Sequence, residues 1–77
     1  MTEKIKLATE NIQNRIQWEQ EDIDSYIKEI RVRAASATES DIITFFPSKI
    51  NQIKEAIERK KSLMEQLQML NFIQKED

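Results

Sequence analysis

The chain has 77 residues, with 12 Lys and Arg against 14 Asp and Glu for a net charge of -2, and it holds no cysteine, histidine or glycine. Those absences exclude disulfides, thiolate chemistry, histidine-based metal centres and the glycine loops that cradle phosphates. The mild negative charge gives no bulk attraction to nucleic acid or to an anionic membrane.

A core in a chain this short rarely supplies more than about 3 to 5 kcal/mol of net stability. With metals and disulfides set aside, self-association is the leading candidate for further support. No segment approaches the roughly 18 consecutive apolar residues of a membrane span. MTEKIKLATE at the start lacks the apolar centre of a signal peptide. The expected setting is therefore cytoplasmic, with no membrane and no cofactor. Strand signals are poor, and Glu, Lys, Gln, Ile, Leu and Ala dominate, so the fold class is all-α.

The first expected element is a helix over about 3–35. At ~100° per residue, Ile5, Thr9, Ile12, Ile16, Gln20, Ile23, Ile27, Ile30 and Ala34 fall on one narrow stripe. Their spacing alternates four and three, the pattern of a coiled-coil seam. Trp18 projects on the opposite side, with Leu7 and Val32. A single exposed apolar residue is ordinary surface. Tryptophan is also enriched at binding hot spots, which makes Trp18 a candidate partner anchor.

A connection over about 36–46 follows, reading SATESDIITFF. Ser36 and Glu39 have capping-box spacing, as do Thr38 and Asp41, so a short helical turn near 39–44 is expected. Phe46 precedes Pro47 and should be pushed out of the helical region, giving an ordered corner. Ile42, Ile43, Phe45 and Phe46 are too apolar for an ordinary turn. The sequence reading makes them a lid over the end of the core, or else a partner-binding tip that offers Phe45 and Phe46.

A second helix is expected over about 47–73, with Pro47 at its first position. It carries two apolar lines about 100° apart. One holds Ile50, Ile53, Ile57 and Met64, the other Ala56, Leu63, Leu67 and Leu70. The first is expected to pack on helix 1 and the second to bind another copy. Folding the chain about Ile42 would set Ile27 against Ile57, Ile30 beside Lys54 and Ile53, and Ile16 beside Leu67 and Gln68. The same fold would bring the acidic cluster around Glu19 opposite Arg59, Lys60 and Lys61.

The whole chain, 1–77, is thus read as one antiparallel helical-hairpin domain, with another copy as the expected partner in a homodimeric four-helix bundle. No nucleophile with a base is recognisable, so the expected function is non-enzymatic: binding another protein as a regulator, adaptor or inhibitor. A small accessory protein of a bacterium or phage would have this size. The alternative is a nucleic-acid-binding dimer using Lys28, Arg31, Arg33, Lys49 and Lys54, which the hairpin gathers at one end. A structural assembly unit is a third reading.

Overall fold

A computed structural model describes residues 2–76, and it is all-helical with two long helices packed antiparallel. Helix α1 spans Thr2–Ala34, a π-helical segment spans Asp41–Phe45, and helix α2 spans Phe46–Glu76. The described chain is a rod measuring 57 × 15 × 13 Å. Its radius of gyration is 17.4 Å, against about 11.5 Å for a globule of this length.

The reversal occupies four residues, 35–38. It is made with no positive φ among the described residues, which suits a sequence without glycine. The Ser36 amide closes the last turn of α1 on the Arg33 carbonyl at 3.1 Å. Arg31 and Arg33 lie in that last turn, where cations complement the helix dipole.

Thr38 then starts the second arm. The Asp41 amide donates to Thr38 Oγ1 at 3.2 Å, and the Thr38 amide donates back to the Asp41 carboxylate at 3.1 Å. Of the two expected capping boxes, the helix uses this one. Residues 39–40 are already α-helical, and helical structure continues through the π segment into α2.

The corner expected at Phe46 is absent. Phe46 has φ -65° and ψ -46°, fully helical, and its amide donates to the Asp41 carbonyl five residues back. Proline has no amide to give, and in a regular helix its ring collides with the carbonyl four residues earlier. The wider π turn shifts that ladder just before Pro47 and lets the helix run on.

Because the second arm begins at Glu39, the hairpin folds about 35–38 and not about Ile42. Glu19 lies level with Arg59, Gln20 with Lys60 and Glu29 with Lys49. The pairing is displaced from the expected one by about five residues, more than one helical turn. Ile27 therefore does not face Ile57, Ile30 does not face Lys54, and Ile16 lies level with Leu63 instead of Leu67.

The two apolar lines of α2 also exchange roles. Ala56 is fully buried and Leu63 nearly so, with Ile23 the third buried apolar residue. Leu67 and Leu70 on the same line are half-buried. This is the line that packs on α1. Ile50, Ile57 and Met64 lie outside, with Ile57 50 % exposed, and only Ile53 of their line is half-covered. On α1 the predicted stripe is inward from Ile5 to Ile30, and Ala34 at its end is exposed. Thr9, the polar member near its start, satisfies its hydroxyl on the Ile5 carbonyl at 2.8 Å.

Candidate interaction surfaces

Three surfaces stand out on the rod. The first is the hairpin end. Phe45 and Phe46 are half-buried and meet edge to face, with ring centroids 5.6 Å apart. The Arg33 guanidinium lies 4.6 Å from the centroid of Phe45, and the Lys49 ammonium 5.7 Å from it on an approach that also brings Lys49 5.2 Å from the Tyr26 ring. Lys49 is paired with Glu29 at 2.8 Å and Arg33 with Asp41 at 3.8 Å. Phe45 therefore joins the π segment to both arms. An open groove of about 530 Å³ runs beside it, with Val32 and Lys28 among its walls.

The lid expected from the sequence is half realised. Phe45 and Phe46 turn inward, but Ile42 and Ile43 point to solvent, with Ile43 73 % exposed. Over the five helical positions 42–46 the four residues cannot share one face.

The expected basic end divides in the same way. Arg33 and Lys49 are held by carboxylates and rings within the chain. Lys28, Arg31 and Lys54 make no ion pair among the described residues.

The second surface is the outer face of α1. Trp18 is 63 % exposed there, with Leu7 and Val32 likewise exposed along the same side. The structure does not bring Trp18 near Phe45 and Phe46, since it lies close to mid-rod, level with the Arg59 to Leu63 stretch.

The third surface is the line Ile50, Ile57 and Met64 along α2. Lys60 borders it on the α1 side, half-buried and donating its ammonium to Gln20 Oε1. The Gln20 amide group in turn donates to Asp24 at 2.9 Å. On the other border of the hairpin core, Arg59 Nε donates to both oxygens of Glu19 at 3.1 Å. That hydrogen bond to Glu19 raises the Arg59 pKa above its ordinary value, against the opposing effect of desolvation.

Sequence reasoning named the surface of α2 but assigned its two lines in reverse, and it missed Tyr26 and Glu29 as the partners of Lys49. Among the described residues no three carboxylates are gathered as a metal site, and no helix is long and apolar enough to cross a membrane. No family model matches the chain, and comparison with curated proteins and with solved structures returns no match either.

Proposed function

We propose that this chain is a small non-catalytic interaction protein of the cytoplasm, which self-associates as a dimer of hairpins forming a four-helix bundle and binds another protein as a regulator, adaptor or inhibitor. The observation that carries this reading is the exposed line Ile50, Ile57 and Met64 on α2, beside a core with only three buried apolar residues among those described. A line of large aliphatic side chains at helical spacing is covered in bundles by another helix. Trp18 supports the second half of the proposal. It lies on a different face from the α2 line, so self-association leaves it available as an anchor.

Light scattering over a concentration series tests the first half, with a mass of twice 9.2 kDa expected. A monomer at every concentration would remove it. Capture from extracts of the native host tests the second half: Trp18→Ala should stay dimeric and lose a specific protein, and an unchanged set of captured proteins would remove Trp18 from the site.

One observation favours a nucleic-acid reading as the runner-up: Lys28, Arg31 and Lys54 at the hairpin end have no ion-pair partner among the described residues. Binding of RNA or DNA at low salt that falls steeply as salt rises would support it. It ranks second because Arg33 and Lys49 are already engaged within the chain.

A further inference from the structure

We infer that two copies pack antiparallel along α2, with the two-fold axis passing beside Ile57 so that Ile50 of each copy meets Met64 of the other. This rests on the self-association proposed above and goes further, by fixing the orientation and the central residue.

The surface area shows how much there is to cover. The chain exposes 6261 Å², whereas a compact monomer of its mass exposes about 4,900 Å². The excess of about 1,300 Å² exceeds the ~800 Å² that each partner contributes to an interface of standard size. The exposed line Ile50, Ile57 and Met64 is self-complementary under a two-fold. Ile50 and Met64 stand seven residues on either side of Ile57, two helical turns each way. An antiparallel isologous contact uses such a pattern, because each residue that touches a second is touched by it in return.

Position along the rod points the same way. The second helical arm runs over 39–76, and Ile57 lies at its middle. An antiparallel pair centred there overlaps along its whole length, with the hairpin end of one copy beside the open end of the other. Any other centre leaves part of each rod uncovered.

Charge separates antiparallel from parallel. Residues 25–54, which form the hairpin half, carry five cations against three carboxylates, and the rest of the chain carries eleven carboxylates against seven cations. The imbalance lies on α1, since the second arm is balanced in both halves, and an antiparallel pair sets the basic end of each α1 along the acidic stretch of the other.

Cysteine cross-linking tests the geometry without background, because the chain has no cysteine of its own. Under mild oxidation Ile57→Cys should form a covalent dimer nearly completely. Ile50→Cys and Met64→Cys should each cross-link poorly alone and efficiently when mixed. Dimers by light scattering in which Ile50→Cys and Met64→Cys each cross-link with themselves, or in which Ile57→Cys does not, would overturn the antiparallel arrangement and leave self-association standing. A wild-type chain that is monomeric at all concentrations would overturn both, and would assign the α2 line to a helix of another protein. Ile57→Asp should weaken the dimer at least about 100-fold while keeping the helical circular dichroism, since a carboxylate would be left unpaired at the centre of the contact. A dimer unaffected by Ile57→Asp would also overturn the inference.

Discussion

Thr38 and Asp41 satisfy each other's amides: the Asp41 amide donates to Thr38 Oγ1 and the Thr38 amide donates to the Asp41 carboxylate, at 3.2 and 3.1 Å. This reciprocal pair fixes where the second arm begins, and the register of the hairpin follows from that start. Loss of an N-cap side chain typically costs about 1 kcal/mol. Thr38→Ala and Asp41→Ala should each lower unfolding stability by about that amount. Because the two hydrogen bonds close one motif, the double variant should lose less than the sum of the singles. Denaturant unfolding of the four chains checks this, and additive losses would show that the two side chains act independently.

The π segment and Pro47 form a second coupled pair. A π turn holds one residue more than an α turn, so deleting Ile43, which is exposed, should return the segment to regular α-helix with α2 in its present phase. Pro47 would then stand in a regular helix interior, at a cost of about 3 kcal/mol. The deletion should therefore destabilise the chain, and the deletion combined with Pro47→Ala should recover most of the loss. Thermal unfolding of the single and combined variants decides this. Failure of Pro47→Ala to rescue would mean that the π turn is not there to accommodate proline.

The same segment explains how much of the fold could be read from the sequence. The all-helical character and the hairpin are local properties: the alternating spacing from Ile5 to Ile30 and the apolar lines of α2 are visible residue by residue. The choice between the lines is not local. One residue inserted into a helix rotates everything after it by about 100°, the angle that separates Ile57 from the Ala56 and Leu63 line. A π turn leaves no propensity signature that would reveal this rotation. Pro47 suggested a helix start, and the rule that a residue before proline leaves the helical region placed the fold five residues too far along. Of the candidate surface, Trp18 was legible because nothing else on its side of α1 is so large. The engagement of Arg33 and Lys49 was not, because it depends on where Phe45 points.

Buried Ala56 and Leu63 should respond to substitution in opposite directions of volume. Ala56 is fully buried, level with Ile23 of α1, and Ala56→Leu should cost about 1 to 3 kcal/mol by forcing the helices apart. Leu63→Ala should cost about 2 to 5 kcal/mol through the cavity it leaves. The Leu63 loss should persist at any chain concentration. The loss from Ile57→Ala should shrink on dilution if, as proposed, Ile57 lies where two copies meet. Unfolding curves at several protein concentrations distinguish the two cases, and equal behaviour of Leu63→Ala and Ile57→Ala would contradict the assignment of the two lines.

At the hairpin end, Phe45→Ala should cost about 1.5 to 3 kcal/mol, roughly half the range for a fully buried phenylalanine, because the ring is half-covered yet stacked under Arg33. Ile42→Ser, at an exposed position of the same π turn, should stay within about 0.5 kcal/mol of the parent. Thermal melts of both variants make the comparison. A larger loss from Ile42→Ser than from Phe45→Ala would restore the lid of four residues that the sequence suggested.

Trp18 offers a direct spectroscopic handle, because it is the only tryptophan in the chain and 63 % exposed. In the protein alone its emission should be that of a hydrated indole and should be quenched readily by acrylamide. Self-association along α2 should change neither property, since Trp18 lies on the far face of α1. Binding of a protein partner at that face should shift the emission to the blue and protect it from the quencher, as the ring leaves water. Trp18→Ala should leave the melting temperature within about 2 °C of the parent, as expected of a substitution outside the core. A blue-shifted, protected tryptophan in the dimer alone would place Trp18 in the contact between copies and remove it as an anchor for another protein.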